Sequence, residues 1–306
     1  MIDPVTLAVA LIVASTPILF AAIGELVVEK SGVLNLGVEG MMVIGAVTGF
    51  IVAVETGSTL LAMVAGMLGS MVLAAIFGFL VLILLANQVA TGLALTLFGL
   101  GLAALLGVGY PGQPVPVPLD LFPPPISEWP VVGPVVFGHP PMIYLSIALV
   151  VLVWFVLGHT RAGLVVRAVG ESHDAAHALG YKVVRVRFLA ILFGGACAGL
   201  GGAFLSVMRV QNWIEGMTAG AGWIALALVV FASWKPWRVL FGAYLFGGIS
   251  VLQLRLQVAE VGVPVTLLSA SPYLMTILVL VLISSSRVRT HQGAPADLGK
   301  VFHAGR

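Results

Sequence analysis

The stretch LLAMVAGMLGSMVLAAIFGFLVLILLA, residues 60–86, decides the class of this protein. It carries no charged side chain and exceeds the ~20 residues that a helix needs to cross a ~30 Å hydrocarbon core. Polar and apolar residues do not alternate along it, as they would in a strand of a membrane barrel. The segment therefore predicts a transmembrane helix, and similar runs recur along the whole chain.

The overall composition leads to the same class. Hydrophobic residues make up 60% of the 306-residue chain, and charged residues only 8%. Because a soluble domain carries about 25% charged residues, this chain cannot cover its surface with charge in water. Because Cys197 is the one cysteine of the chain, no disulfide can form within it, and its place in an apolar run favours a packing role. We predict an all-α polytopic membrane helix bundle.

Nine apolar segments are long enough to be spans, and we expect about nine transmembrane helices, within a range of about eight to ten. Polar residues and glycines at the start of the second segment leave open whether it crosses the membrane fully. The nine segments are residues 5–24, 33–54, 60–86, 89–109, 142–158, 188–208, 218–233, 239–256 and 271–286.

Basic residues fall almost entirely on one side of this arrangement, and only Arg209 and Arg255 of the 14 lie near the other. Because cytoplasmic loops are enriched in Lys and Arg, that side is predicted to be cytoplasmic, with the N-terminus outside and the C-terminus inside. The residues on the cytoplasmic side are Lys30, Arg161, Arg167, Lys182, Arg185, Arg187, Lys235, Arg238, Arg287, Arg289, Lys300 and Arg306.

We interpret residues 1–290 as a single transmembrane domain and residues 291–306 as a cytoplasmic tail. The longest external loop, 110–141, is rich in proline, which excludes a regular helix or a central strand and favours extended, polyproline-like structure. We interpret this loop as a rigid spacer over the helix ends. A landing surface for an external partner is the alternative.

Two segments come close to ligand-binding motifs without meeting their requirements. In GELVVEKS, residues 24–31, Glu29 stands where a phosphate-binding loop needs its second glycine, and no strand precedes the segment. His173 and His177 share a helix face, but two ligands without a third make no metal site. Since no nucleophile–base pair is apparent either, we expect neither an enzyme nor a resident metal or cofactor, and no nucleic-acid partner.

Asn35 and Glu39 lie one helical turn apart in SGVLNLGVEGMMVIGA, residues 31–46, near the start of an apolar span. Polar groups within a span are costly and often functional, and neighbouring glycines permit a broken helix that lines a cavity. The two residues either line a polar pathway through the membrane or form a helix cap, in which the helix dipole stabilises Glu39.

Small residues four positions apart favour a tight bundle, because they let helix backbones approach closely in lipid. Such pairs occur at Gly45–Gly49, Gly195–Gly199 and Gly216–Gly220. We expect all three to be sites of close helix packing.

The polar stretch ESHDAAHALGY, residues 171–181, interrupts the apolar segments within the basic loop 159–187. It predicts a short helix capped by Ser172 and closed by Gly180. A small hydrophilic helix tied at both ends to spanning helices is suited to docking on a cytosolic partner.

Here the chain resembles a known family. DAAHALG, residues 174–180, is similar to the EAA motif of ABC importer permeases, with Asp174 in place of the usual Glu. The surrounding block, residues 160–204, and two others, residues 31–46 and 213–248, are similar to permeases of the branched-chain amino acid, simple sugar and nucleoside group. The form GVLNLGVEGMM most resembles the nucleoside branch, which uses an external lipoprotein receptor of the basic-membrane-protein type.

This resemblance implies the transmembrane subunit of an ATP-driven importer in a prokaryotic cytoplasmic (inner) membrane. The implied partners are a second permease, usually a different chain, a cytosolic ABC ATPase that binds ATP and Mg²⁺, and the external receptor. Asn35 and Glu39 would lie near the pathway. The residues assigned to contact with the ATPase are Glu171, Ser172, His173, Asp174, Ala175, Ala176 and Gly180.

Two alternatives remain at this point. The same machine would carry a simple sugar or a branched-chain amino acid instead of a nucleoside. A secondary transporter or channel that works without ATP is the alternative from another class, but it predicts more ionisable residues at mid-membrane depth than this sequence contains.

Overall fold

The computed structural model describes residues 3–127, 129–259, 262, 264–285 and 293–303, and its regular elements are all helical. The long helices are α1 (Pro4–Lys30), α2 (Val38–Thr56), α3 (Thr59–Leu82), α4 (Gln88–Gly107), α6 (Pro141–His159), α9 (Val183–Ala203), α11 (Pro236–Val258) and α12 (Val265–Ser285). The short helices are α5 (Pro124–Ser127), α7 (Arg161–Glu171), α8 (His173–Ala178) and α10 (Ala221–Phe231).

Seven helices in the described part of the chain are long and apolar enough to cross a membrane, which establishes a polytopic helical protein. They are α1, α2, α3, α4, α6, α11, and α9 together with its π-helical extension to Val210. α12 also has the length for a span, with 21 residues. The segment that begins with polar residues, α2, is a full-length helix of 19 residues.

The predicted span 218–233 is corrected to a half-length helix, α10. Its 11 residues extend about 16 Å, roughly half of a hydrocarbon core. The helix does not begin earlier because Gly216 and Gly220 have φ of +69° and +82°, a conformation that glycine tolerates and a helix does not. The Gly216–Gly220 pair is therefore a turn, and the expected helix packing there is wrong.

The chain arranges its polar segments at two opposite ends of the bundle. We call the end with the 159–187 loop the basic end; it also holds the turn between α1 and α2, the turn between α10 and α11, and residues 293–303. The other end, the proline-rich end, holds residues 110–127 and 129–140, and there the Gly112 N–H donates to Oδ1 of Asn212, two residues beyond the π-helical extension of α9. Residues 113–120 have no regular secondary structure, and a turn of α-helix and a π-helical turn, Gly133–Phe137, follow them. The extended, polyproline-like structure expected for this loop stays a prediction.

The centre of the bundle is formed by α1, α2, α3 and α9, and glycines bring these helices together. A Cβ added at Gly45 would collide with the backbone of Gly199, and one at Gly195 would collide with Ala74 of α3. The predicted close packing at these two glycine pairs is therefore confirmed. Because lipid offers no hydrophobic force between helices, this backbone contact is what holds the core together.

Large apolar side chains cover the outside of the bundle between the two ends. In water such a surface would aggregate, whereas in lipid it is the favourable exterior. Examples that are more than half exposed are Leu60 (73%), Val72 (62%), Leu97 (71%), Leu105 (70%) and Phe241 (71%).

Candidate coupling site and membrane cavity

The polar stretch at 171–181 folds as the sequence predicts. Ser172 caps α8, because its Oγ accepts the Ala175 N–H at 3.3 Å. After α8 the chain turns at Gly180, whose φ of +87° favours glycine. The predicted cap and the closing glycine are both confirmed, and the basic loop adds a further helix, α7, before α8.

The two sides of α8 differ in exposure. His173 and Ala176 are buried, with 6% and 2% exposure, and they face the body of the protein. Asp174 has a side chain that is 85% exposed, and Leu179 is 77% exposed. Of the predicted contact residues, Glu171, Asp174, Ala175 and Gly180 are exposed, Ser172 is half-buried, and His173 and Ala176 are buried. Only the first group is placed to touch a partner directly.

The C-terminal segment 293–303 covers the buried side of α8. Phe302 is 7% exposed and packs edge-on against His173 and His177, with ring centroids 5.4 and 5.3 Å away. Together Phe302, Ala176, Val169 and Val183 form a small hydrophobic cluster that is separate from the main core. A six-residue helix is marginal on its own, so this cluster is what fixes α8 in place.

Asp297 is the polar anchor of this segment. Its Oδ2 accepts the backbone N–H of His173 at 2.8 Å and lies 2.7 Å from His173 Nδ1, while its Oδ1 pairs with Lys300 Nζ at 2.9 Å. Burial acts to raise the pKa of Asp297, but the hydrogen bonds from Lys300 and His173 and their charges outweigh it and hold the pKa below its usual value. The carboxylate is therefore ionised at neutral pH.

Arg187 lies beneath the same contact and is fully buried, with 0% exposure. Its Nε donates to Ser31 O at 3.1 Å and its Nη1 donates to Lys300 O at 3.0 Å. Its Nη2 lies 3.3 Å from His173 Nδ1. Because one nitrogen cannot donate to Asp297 and accept from Arg187 at once, the shorter distance assigns the proton of Nδ1 to the bond with Asp297.

Glu39 supports the half-length helix α10 from a neighbouring helix. Its Oε1 accepts the Thr218 hydroxyl at 2.6 Å and the Gly220 N–H at 2.9 Å, and its Oε2 accepts the Gly222 N–H at 2.6 Å. The N-terminus of a helix has unpaired N–H groups and a partial positive charge, which a carboxylate satisfies. Glu39 therefore caps α10, not its own helix α2.

Asn35 organises the turn before α2. Its Oδ1 accepts the Gly37 N–H at 2.9 Å, and its backbone N–H donates to Glu25 Oε1 at 3.3 Å. Neither Asn35 nor Glu39 lines the cavity described next, although Thr218, which Glu39 holds, does. Their predicted place in a pathway stays a prediction.

A cavity of about 290 Å³ lies beside α10, in the half of the bundle toward the proline-rich end. Apolar residues of α1 and α11, such as Ile18 and Phe246, form part of its wall. Its polar lining consists of Arg209, Thr218, Ser250, Gln253 and Ser269, with no carboxylate among the lining residues that the structure describes. Among the residues that the structure describes, none forms a hydrogen bond or ion pair with Arg209.

Sequence reasoning missed the residues that join these parts. It assigned no role to Asp297 or Phe302 and treated Arg187 only as one positive charge in a loop. The sequence holds one weak signal, since Ala294, Leu298 and Phe302 are spaced four apart in an otherwise polar tail and all three pack inward. It holds none for Thr218 as the partner of Glu39.

The comparisons with known proteins now bear on this arrangement. Residues 7–284 match the family model described as "Branched-chain amino acid transport system / permease component". The chain belongs to this permease family. The predicted resemblance to permeases of the amino acid, sugar and nucleoside group is thereby confirmed.

Several relatives are similar to this permease over most of their length. The putative glucose ABC transporter permease protein TsgC13 of Haloferax volcanii is 42% identical over 252 residues, 81% of this chain and 77% of the relative. The nucleoside ABC transporter permease protein NupC of Lactococcus lactis is 31% identical, over 89% of this chain and 90% of the relative. The guanosine ABC transporter permease protein NupQ of Bacillus subtilis is 31% identical, over 89% of each. No solved structure matches the chain.

In this permease the three sequence blocks that carry the resemblance meet in space. Glu39, in the first block, binds the N–H groups of Gly220 and Gly222 in the third. Arg187, in the second block, binds Ser31 O in the first. Blocks that lie far apart in the chain are thus joined by polar contacts in the fold.

Proposed function

We propose that this permease is the transmembrane subunit of an ATP-driven importer that moves a nucleoside, or a related small polar solute, into a prokaryotic cell. The observation that carries the proposal is α8, a short helix with an exposed polar face that is buttressed from behind by residues 293–303. The permease itself would hydrolyse no ATP. A separate ABC ATPase would bind ATP and Mg²⁺ and dock on α8. Each nucleotide state of that ATPase would bind one conformation of the permease more tightly, so a change of nucleotide state would shift the permease between conformations.

The proposal places the basic end in the cytoplasm, the N-terminus outside, and the chain in the cytoplasmic (inner) membrane. The concentration of Lys and Arg at one end supports this orientation. Eight long helices and the half-length α10 would make about nine segments that run between the two sides, with α10 reaching only from mid-membrane to the cytoplasmic end.

The cavity beside α10 would be part of the solute pathway. Broken helices whose ends meet near the middle of the membrane are where transporters commonly build such sites. Hydroxyls, an amide and a guanidinium suit the oxygens and ring nitrogens of a neutral polar solute, such as a nucleoside or a sugar. An amino acid fits less well, because its ammonium group would find no carboxylate among the lining residues described.

A nucleoside remains the first choice, because relatives whose names include nucleosides and guanosine match this permease along nearly their whole length. A simple sugar is the second choice, supported by the higher identity to a permease named for glucose. A secondary transporter that works without ATP would have no ATPase to contact the exposed face of α8.

The remaining partners would be a second permease, encoded as a different chain, and a substrate-binding lipoprotein at the proline-rich end. Exposed apolar side chains on the proline-rich segment favour its role as a landing surface for that receptor over a simple spacer. They include Val117 (74%), Leu119 (82%), Trp129 (56%) and Val131 (62%).

The test is to purify the permease from its native membrane in mild detergent and to identify the proteins that accompany it. The complex would then be reconstituted in vesicles, and uptake of labelled guanosine, adenosine, glucose and leucine measured with and without ATP. Recovery of an ABC ATPase and ATP-dependent nucleoside uptake are expected. A permease that purifies alone and transports without ATP would overturn the proposal.

A further inference from the structure

Residues 293–303 bind two parts of the permease at once. On one side Asp297 and Phe302 hold the buried face of α8. On the other side the Gly299 N–H donates to Gly32 O at 3.1 Å, and Lys30 Nζ donates to Gly293 O at 2.7 Å. Gly32 lies in the turn between α1 and α2, and Lys30 is the last residue of α1, so the segment ties the loop helix to the end of α1 and to that turn.

Arg187 and α7 reinforce the same connection. Arg187 donates to carbonyl groups of both the turn, at Ser31, and the segment, at Lys300. A Cβ added at Gly170, the penultimate residue of α7, would collide with Lys30 O. Backbone therefore packs directly on backbone, and a displacement of the loop helices cannot be absorbed by side chains at this point.

From the turn, a continuous set of contacts leads to the cavity. Gln88 accepts the Leu34 N–H at 2.8 Å, and Leu36 O accepts the Thr96 hydroxyl at 3.0 Å. Thr96 lies eight residues after the start of α4, which places Leu36 about 12 Å from the basic end. Glu39, three residues after Leu36, accepts the hydroxyl hydrogen bond of Thr218, and Thr218 lines the cavity.

We propose that residues 293–303 form a strut that makes α8 and the α1–α2 turn move as one body, with Asp297 as its positioning residue. Movement of α8 then reaches the cavity wall through the segment 31–39 and Glu39. Asp297 touches neither solute nor nucleotide; it acts by holding His173. The inference rests on the proposed function, in which α8 is the ATPase contact.

The strut explains why both oxygens of Asp297 and the Nε and Nη1 groups of Arg187 are paired here. A contact transmits displacement only if the two parts that it joins are tightly packed, because packed interfaces switch between discrete arrangements and do not deform continuously. Without the segment, the cluster beneath α8 would lose Phe302, and His173 would lose its contact with Asp297, so the buried face of α8 would be partly open to water.

The experiment compares Asp297→Asn with Lys300→Gln in the reconstituted complex of permease, ATPase and receptor. Asp297→Asn keeps the size of the side chain but removes the charge that holds His173, whereas Lys300→Gln removes only the outward ion pair, on a residue whose side chain is 61% exposed. We expect Asp297→Asn to lower the solute transported per ATP hydrolysed by about tenfold, within the range of typical coupling free energies. Lys300→Gln is expected to leave that ratio within about twofold.

A second variant guards against misfolding. Gly299→Ala strains a turn with φ of +77° and weakens the bond to Gly32 without altering any charge, so it should lower the same ratio in the same direction. His303→Cys introduces a thiol that reports on the position of the strut. A thiol-reactive label would modify it selectively, because the one native cysteine, Cys197, is buried. Its reactivity should differ between ATP-bound and nucleotide-free complexes.

The outcomes separate this inference from the proposed function. If the wild-type permease recovers no ATPase, the proposed function fails first. If the wild-type complex is intact and Asp297→Asn transports as much solute per ATP as wild type, the strut is refuted. Loss of the ATPase from the Asp297→Asn complex would also refute it, since the segment would then serve attachment and not transmission.

Discussion

The contact between α8 and residues 293–303 at the basic end and the cavity beside α10 use polar residues in opposite ways. Behind α8, Arg187 is buried with acceptors for its Nε and Nη1, and Asp297 is bound on both of its oxygens. In the cavity, Arg209 has space in front of it and no partner among the described residues. Paired polar groups fix a structure, whereas unpaired ones are available to a ligand.

The largest effect should come from breaking the paired region at its centre. Arg187→Met would leave the buried Ser31 O and the partly buried Lys300 O without their Arg187 donor and would remove the cation near Asp297, at a cost of about 3–5 kcal/mol. Thermal unfolding in detergent and protease sensitivity of the loop measure this loss. Arg185→Met, an exposed neighbour on the same helix, is the matched control and should unfold at the wild-type temperature. Equal stability of the two variants would contradict the assignment.

The two alanines of α8 sharpen the contrast between its faces. Ala176 is 2% exposed, so Ala176→Arg forces a charge into the hydrophobic cluster and should destabilise the loop by about 2–3 kcal/mol. Ala175 is exposed, so Ala175→Arg should leave stability unchanged and abolish ATPase binding. Co-purification and thermal unfolding separate the two. A stable Ala176→Arg protein that only loses the ATPase would mean that both faces meet the partner.

Glu39 tests whether the paired framework extends to the cavity wall. Glu39→Gln removes the charge, and its NH₂ group would face a backbone N–H, a loss of about 1.5–3 kcal/mol. Uptake should fall while the complex still assembles at a lower unfolding temperature. Glu55→Gln is the control, because Glu55 is exposed and bonds only to the half-buried Tyr110 at the proline-rich end among the residues described. Unchanged uptake and stability in Glu39→Gln would show that capping α10 is dispensable.

In the cavity a single substitution should affect transport alone. Arg209→Gln removes a donor that has no structural partner, so we expect normal stability and a KM for uptake raised about two- to tenfold, the value of one or two hydrogen bonds. Arg255→Gln, on an exposed basic residue outside the lining, should keep the wild-type KM. A loss of stability in Arg209→Gln would place this residue with the paired groups.

The smallest effect concerns pH. Since the pKa of Asp297 in the folded protein lies below its ordinary value, its contribution to holding α8 is present above about pH 4 and is lost as pH falls through the lowered pKa. Hydrogen exchange of residues 171–180 between pH 7 and pH 3 should rise only at the acid end of this range. Asp297→Asn should remove that rise, and a rise near pH 6 would point to another group.

The pattern of the sequence was sufficient for the elements but not for their connections. Helices α1, α2, α3, α4, α6, α9 and α11 follow from long apolar runs, because a buried backbone in lipid must be hydrogen-bonded within its own segment. The cap at Ser172 and the turn at Gly180 follow from local chemistry that needs no other part of the chain. Apolarity alone does not distinguish a full span from the half-length α10. The turn before α10 depends on a distant contact, in which the N–H groups of Gly220 and Gly222 donate to Glu39.

The sequence by itself thus determined that the chain is a helical membrane protein of a transport permease family, with a short polar helix in a basic loop. Only the tertiary structure decided that Glu39 caps α10, that Arg187 and Asp297 join the tail to α8, and which face of α8 remains free. The physical reason is range: helix periodicity and capping act over a few residues, whereas these contacts join positions more than a hundred residues apart. Such contacts depend on how the helices pack, and a single sequence does not record that.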